Sequence, residues 1–284
     1  MLREYIALTK PGIIRGNLLA GGAGFLFAAN GVIDWVDFAI FMLATTLIIA
    51  SGCVFNNVLD REIDARMDRT KNRALVTGRI PINHALNFAT ILGILGPLLL
   101  LHFINVTTFA LGLAGLFFYV VVYGLAKRTT PLSTIIGSLP GAVPPAAGYT
   151  AVMGSFDLTA MLLFVGMALW QMPHFYAISV YRREDYARAN LPVWSVKYGI
   201  PATQVQIIVF ILLYAISAGL LFVYGGASWT FLIAMSAVNI WWILAAFSKE
   251  RLQNSTRWAK KVFGISLVIM LLWSSLLAVN WILP

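Results

Sequence analysis

One short polar stretch carries side chains that could hold a metal ion. Asparagine and aspartate recur in it every four residues, at Asn56, Asp60, Asp64 and Asp68. On an α-helix a step of four residues advances one turn and rotates the side chain by only about 40°. A continuous helix over 56–73 is therefore predicted to present an amide and three carboxylates on one face. Oxygen ligands of this kind suit Mg²⁺, which also takes water and substrate phosphates.

The same stretch allows a second interpretation, a solvated surface helix. Like charges four residues apart repel by roughly 0.2–0.5 kcal/mol per pair, and neighbouring arginines could neutralise them: Arg61, Arg66 and Arg69. However, the carboxylates directly follow an apolar run, 41–55, and acidic groups at the mouth of a membrane helix usually have a function. Lys71 and Arg73 come next and could bind phosphate groups.

A second polar segment repeats the plan of the first. With a shift of 121 residues, Asp185 falls on Asp64 and Tyr181 takes the place of Asp60. Arg182 and Arg183 supply basic groups there. Each segment ends in glycine followed by proline, a pattern that predicts a helix stop and a restart, at 78–81 and 199–201. We therefore expect a weak internal duplication, with polar loops at about 58–84 and 181–200 facing one another.

Two further features lie within apolar stretches. Gln171 and His174 are three residues apart, so they share a helix face where they could bind a substrate. The alternative for a lone histidine is a structural group satisfied by a neighbouring helix. The stretch 137–148 is rich in proline and glycine, which indicates either a kinked packing helix or the wall of a cavity.

The elements that must position these residues are membrane helices. The chain has 284 residues, of which 60% are hydrophobic and only 11% are charged, as expected for a polytopic membrane protein. We treat residues 1–284 as one domain. Nine apolar stretches are long enough to cross about 30 Å of hydrocarbon: 13–31, 36–57, 85–104, 106–126, 132–153, 158–180, 202–224, 228–247 and 261–283.

The basic residues predict the orientation in the membrane. All 20 Lys and Arg residues fall at the amino terminus or in alternate connections between the nine stretches. The positive-inside rule then places the amino terminus and the large polar loops in the cytoplasm, and the carboxyl terminus outside. The net charge of +9 is explained in this way, and no segment suits nucleic acid.

Together these features suggest an enzyme that joins an isoprenoid diphosphate to a second lipophilic molecule. The motif Asn56-x-x-x-Asp60-x-x-x-Asp64 resembles the first acidic motif of the UbiA-type intramembrane prenyltransferases, and the resemblance runs nearly end to end. With Trp170-x-x-Pro173-His174-Phe175 and the segment 181–186, the chain is similar to the branch of that family that farnesylates heme B. Tyr181 replaces an acid that quinone-directed members usually carry.

The resemblance implies a nine-helix bundle around a central cavity that opens to the cytoplasmic loops of a bacterial inner membrane protein. It implies transfer of farnesyl from farnesyl diphosphate to a vinyl group of heme B, with water addition. Four residues would act in catalysis as Mg²⁺ ligands: Asn56, Asp60, Asp64 and Asp185. Four would bind the diphosphate: Lys71, Arg73, Arg182 and Arg183. Three would bind heme: His174, Gln171 and Tyr181.

Partners and alternatives follow from the same resemblance. Heme A synthase or terminal oxidase assembly proteins would exchange heme with such an enzyme. One alternative is a family member that acts on an aromatic acid or quinone precursor. Another is a cation transporter, which is disfavoured because its polar groups would be distributed across the membrane and would not cluster at one face.

Overall fold

Long helices make up the fold in the computed structural model, which describes residues 2–284. Within these residues nine helices have 18 residues or more: α1 (Pro11–Ala29), α2 (Trp35–Leu59), α3 (Ile82–Ile104), α4 (Val106–Thr129), α5 (Ser133–Met153), α6 (Leu158–Tyr181), α7 (Gly199–Gly225), α8 (Trp229–Ala246) and α9 (Ser255–Ala278). Shorter helices occupy the polar connections: Leu2–Leu8, Arg61–Asp64, Arg183–Arg188, Trp194–Lys197 and Glu250–Gln253. The described residues contain no strand, and the all-α prediction is confirmed.

Eight of these helices are long and apolar enough to cross a membrane, counted over residues 2–284. This is the composition of an integral membrane protein. The exception is α5, which has 21 residues and no charged side chain but is less apolar because it contains three prolines. Nine crossings, and the orientation that depends on them, therefore stay predictions.

Helix α9 departs most from its predicted stretch. It begins at Ser255, six residues before the expected start at 261, and it ends at Ala278. The Asn254 side chain accepts a hydrogen bond from the backbone N–H of Arg257 at 2.9 Å and so caps the helix before the apolar run begins. Because the first turn of α9 is polar, the hydropathy of the sequence does not reveal where this helix begins.

The proline- and glycine-rich stretch lies within α5 and packs tightly against α1. A Cβ atom added to Gly148 would lie 2.0 Å from the carbonyl oxygen of Gly21, and one added to Gly24 would lie 2.0 Å from that of Pro145. Backbones approach this closely only where side chains are absent. The contact favours the packing role that the sequence left open for 137–148.

Helix α6 occupies a central place in the bundle. It contacts α5, α7 and α9, while α1 contacts both α5 and α9. The main core cluster buries large aromatic side chains on helices α6 to α9, among them Tyr176, Tyr214, Trp242 and Trp258. Helix α6 therefore holds Gln171 and His174 inside the bundle and leads directly into the second polar loop.

Candidate functional site

The first polar loop begins where α2 ends, and this corrects the expectation of a continuous helix over 56–73. Helix α2 stops at Leu59, Asp60 caps it, one turn of helix spans Arg61–Asp64, and turns follow as far as Ile80. The physical reason is charge pairing. The three carboxylates pair with different cations, Arg73, Lys127 and Arg188, which come from different parts of the chain.

Asn56 meets a lysine from the amino-terminal segment. Lys10 Nζ donates a hydrogen bond to Asn56 Oδ1 at 2.7 Å. Lys10 precedes α1 in the left-handed conformation, with φ 52°. Burial lowers the pKa of Lys10 to about 8, although the nearby carboxylates of Asp60 and Asp64 oppose that shift. Asn56, Asp60 and Asp64 thus come within electrostatic range of one ammonium group.

Asp60 meets a lysine from α4. Lys127 Nζ donates to Asp60 Oδ2 at 2.6 Å, and both side chains are largely buried. Arg128 lies 3.7 Å from the other carboxylate oxygen, Oδ1, and donates a hydrogen bond to the carbonyl of Leu59. Oδ1 itself is buried and accepts no hydrogen bond. Asp60 therefore keeps one carboxylate oxygen without a hydrogen bond.

Asp64 is buried and held by Arg73. Arg73 Nη1 donates to Asp64 Oδ2 at 2.6 Å and to Asn57 Oδ1 at 3.1 Å, while Asn57 Nδ2 donates to the carbonyl of Leu8 at 2.8 Å. A cleft of about 230 Å³ opens beside Arg73, and its lining includes Arg3 of the amino-terminal segment and Arg79 of the first polar loop. Arg73 thus links the first acidic motif to the amino terminus.

Asp185 lies in the second polar loop, where Arg188 connects it to Asp68 of the first polar loop. Arg188 Nη2 donates to Asp185 Oδ1 at 2.6 Å, and Nη1 lies 3.0 Å from Asp68 Oδ2. Arg182 approaches Asp185 at 3.6 Å, and Lys71 pairs with Asp68 at 2.9 Å. The hydrogen bond from Lys71 lowers the pKa of Asp68. Asp185 is therefore joined to Asp68, and not directly to Asp60 or Asp64.

The two polar loops also share an apolar contact. Met67 of the first loop packs in one buried cluster with Ala189, Leu191 and Val193 of the second. Arg183, predicted to bind diphosphate, instead donates from Nε to the carbonyl of Ser195 at 2.9 Å. This bond fixes the shape of the second loop. The expectation that the two loops face one another agrees with these contacts.

The three residues expected to bind heme lie along α6 but have different neighbours. Gln171 Nε2 donates to the carbonyls of Ser138 on α5 and Met167 on α6, at 3.2 and 3.1 Å. His174 Nδ1 lies 2.8 Å from Ser266 Oγ on α9. Tyr181 ends α6, with the Arg182 guanidinium 5.8 Å from the centre of its ring. Gln171 is thus bonded within the bundle, whereas His174 and Tyr181 lie nearer the second loop.

Sequence reasoning missed three basic residues at the site: Lys10, Lys127 and Arg188. Lys127 is separated from Asp60 by 67 positions and Lys10 from Asn56 by 46, so no local spacing relates them. The feature of the sequence that could have identified these basic residues is their position relative to the apolar stretches. All three lie at or beyond the polar end of an apolar stretch, on the side where positive charge collects.

The acidic groups do not form a preassembled cluster. Among residues 2–284, no three His, Cys, Asp or Glu side chains converge as a metal site would require. The donor set nevertheless fits Mg²⁺, which binds through one or two carboxylates and takes its remaining oxygens from water and phosphates. The unpartnered Oδ1 of Asp60, with Asn56 and Asp64 close by, provides such a partial set.

This fold and site define an intramembrane enzyme with an acidic and basic centre at one end of a helix bundle. A sequence model of the UbiA prenyltransferase family matches residues 17–281, and the chain belongs to this family. It is 44% identical to a curated protoheme IX farnesyltransferase of Photorhabdus laumondii over 99% of this chain and 96% of the relative. Identity to the Yersinia enterocolitica protein of that name is 43%, over 100% and 96%.

Solved structures share the fold. A structure of digeranylgeranylglyceryl phosphate synthase superposes with a TM-score of 0.81 at 23% identity, covering 99% of this chain and 98% of that one. A UbiA homologue from Archaeoglobus fulgidus bound to DMAPP and Mg²⁺ gives a TM-score of 0.69 at 15% identity, over 97% and 99%. At these identities the likeness concerns the fold alone.

Proposed function

We propose that the chain transfers the farnesyl group of farnesyl diphosphate to a vinyl group of heme B, giving heme O and diphosphate. The observation that carries this proposal is the identity of 42–44% to curated protoheme IX farnesyltransferases over essentially the whole chain. Overall, the allylic carbon–oxygen bond breaks and diphosphate leaves with that electron pair. The vinyl group then forms the new carbon–carbon bond, and one water molecule adds a hydroxyl group and releases a proton.

Asn56, Asp60, Asp64 and Asp185 are the proposed ligands of Mg²⁺. The buried Oδ1 of Asp60 supports this assignment, because it accepts no hydrogen bond and has only the Arg128 guanidinium near it, at 3.7 Å. When bound, the metal ion supplies positive charge that stabilises the diphosphate leaving group. Asp185, the acid that remains in the second motif where Tyr181 replaces the first, already has two arginine neighbours, so cations share its role there.

The basic residues stabilise the charge that builds on the leaving group. We propose Arg73 and Arg182 for this role, as expected from the sequence, and add Lys10 and Lys127. Both ammonium groups lie at the oxygen atoms of the first motif, where a diphosphate bound to the same metal ion would meet them. Lys71 and Arg183 contribute less, because one is exposed beside Asp68 and the other is bonded to a backbone carbonyl.

Heme B would contact α6 through His174 and Tyr181, while Gln171 shapes the wall between α5 and α6. His174 lies seven residues before Tyr181, about 10 Å along the helix. His174 and Asp185 do not lie on one continuous helix, because α6 ends at Tyr181 and a separate helix begins at Arg183. The apolar surroundings exclude water, which would otherwise capture the farnesyl cation as farnesol.

The chain's surroundings are part of the proposal. We place it in a bacterial inner membrane, with the amino terminus and both polar loops in the cytoplasm and the carboxyl terminus outside. Heme A synthase or terminal oxidase assembly proteins would receive the product. Action on an aromatic acid or quinone precursor is less well supported, because Tyr181 occupies the place of the acid found in those relatives.

One experiment tests the proposal. Membranes that contain the protein are incubated with heme B, farnesyl diphosphate and Mg²⁺, and the pigments are analysed by mass spectrometry. We expect a hydroxyethylfarnesyl product from the wild type and none after Asp64→Asn. If the wild type leaves heme unchanged but prenylates 4-hydroxybenzoate, the assignment to heme is wrong and the alternative activity is correct.

A further inference from the structure

His174 packs against aromatic rings and a hydroxyl group, and within residues 2–284 it has a hydrogen-bond partner at only one of its two ring nitrogens. The Trp170 ring stacks on it at 5.0 Å between centroids, with an interplanar angle of 27°, and the Phe263 ring packs at 4.7 Å. Nδ1 lies 2.8 Å from Ser266 Oγ. His174 is half-buried, and the described residues offer no hydrogen bond to its Nε2. The ring thus presents one unoccupied nitrogen atom.

The hydrogen bonds of Ser266 decide which nitrogen of His174 carries the proton. Ser266 Oγ donates to the carbonyl of Phe263 at 2.6 Å, and a hydroxyl has only one proton to donate. With that proton directed to Phe263, the contact with His174 runs from Nδ1–H to Oγ. A neutral imidazole protonated on Nδ1 carries its lone pair on Nε2.

Ser266 also fixes the ring that stacks on His174. Its backbone carbonyl accepts a hydrogen bond from Trp170 Nε1 at 2.9 Å. One residue of α9 therefore orients both rings that α6 contributes, through its side chain in one case and its backbone in the other.

We propose that Ser266 is a positioning residue that holds His174 with Nδ1 protonated and Nε2 facing the heme iron. This inference rests on the proposed function, because it assumes that heme B is the substrate. Partners that orient a metal-binding histidine in this way typically change the affinity about 10- to 100-fold when they are removed. Heme is a substrate here, so its binding can be measured without turnover.

The test compares the full-length wild type with Ser266→Ala and with a matched control, Ser274→Ala. Ser274 lies on the same helix and is equally buried, but its hydroxyl has no hydrogen-bond partner. Each purified protein is titrated with ferrous heme B, the iron–imidazole vibration of the complex is recorded by resonance Raman spectroscopy, and binding of farnesyl diphosphate with Mg²⁺ is measured separately.

We expect Ser266→Ala to weaken heme binding at least about tenfold and to shift the iron–imidazole band, with farnesyl diphosphate affinity unchanged. Ser274→Ala should match the wild type. His174→Ala should lose the band, and adding Ser266→Ala to it should cost nothing more, since the two residues act as one unit.

Three results would overturn the inference. These are a wild-type band and affinity in Ser266→Ala, loss of both ligands in that variant, or an iron–imidazole band that survives His174→Ala. None of these results would contradict heme O formation by the wild type, because that activity is measured separately in the pigment assay. A wild type that binds no heme at all would instead refute the proposed function.

Discussion

The pair formed by Lys127 and Asp60 allows a quantitative prediction. Its atoms are 2.6 Å apart, and its side chains are only 9% and 14% exposed. At an effective dielectric constant near 20, the attraction at that distance is ~6 kcal/mol, most of which offsets the cost of removing two charges from water. Removal of one partner leaves the other charge buried without that offset, a loss of about 3–5 kcal/mol.

We expect Lys127→Met to fall at the lower end of that range, about 3 kcal/mol, because Arg128 remains 3.7 Å from Asp60. For a protein of this size the melting temperature should drop by roughly 6 °C. Asp60→Asn should cost a similar amount. The double variant should be only slightly worse than either single one, with a coupling energy of about 2 kcal/mol.

Thermal unfolding of the purified variants in one detergent measures all three effects. Lys260→Met serves as the control, because Lys260 is exposed on α9 and should tolerate the change. If the two single losses simply add up in the double variant, the pair does not interact as the structure indicates, and the reasoning from burial fails.

Four further changes have expected outcomes. In the pigment assay Asp64→Asn should abolish transfer, whereas Asp68→Asn, remote from the first motif, should retain it; the reverse order would exclude our choice of ligands. Lys10→Met should raise the KM for farnesyl diphosphate about tenfold, corresponding to one charged hydrogen bond, and should leave heme binding unchanged. Gly148→Ala should destabilise the fold by about 3 kcal/mol because its Cβ meets the Gly21 carbonyl, while Gly264→Ala, which has open space, should not. Arg188→Gln should speed amide hydrogen exchange in the first polar loop, and unchanged exchange would mean that the apolar contact alone holds the loops together.

Hydropathy was sufficient to locate the helices, since each predicted stretch corresponds to one long helix. Both polar segments also lie where they were expected, at the ends of α2 and α6. The four-residue spacing of the acids, in contrast, wrongly predicted that the helix would continue beyond Leu59. Asp60 continues the four-residue spacing, but its partner Lys127 comes from another helix, and only the assembled bundle shows that pairing.

Residue type was a weaker guide for side chains inside the bundle. Gln171 and His174 have the spacing of one helix face, but Gln171 is bonded to α5 and His174 to α9. A polar group in an apolar stretch indicates that some partner exists without saying which. The distinction between a structural amide and an imidazole with an open nitrogen depends on neighbours that are distant in the sequence.

The close contact between α1 and α5 has a consequence for biogenesis. The glycines of α1 that meet α5 are synthesised about 120 residues before their partners, so at roughly 5–20 residues per second α1 waits about 6–24 s for them. With a mean hydropathy of 1.3, α1 is also among the least apolar of the candidate spans. Although α1 also packs against α2, its contact with α5 can form only after α5 emerges from the ribosome. We expect α1 to need a membrane insertase during that interval, and pulse labelling in insertase-depleted cells should show reduced insertion of α1 before α5 is made.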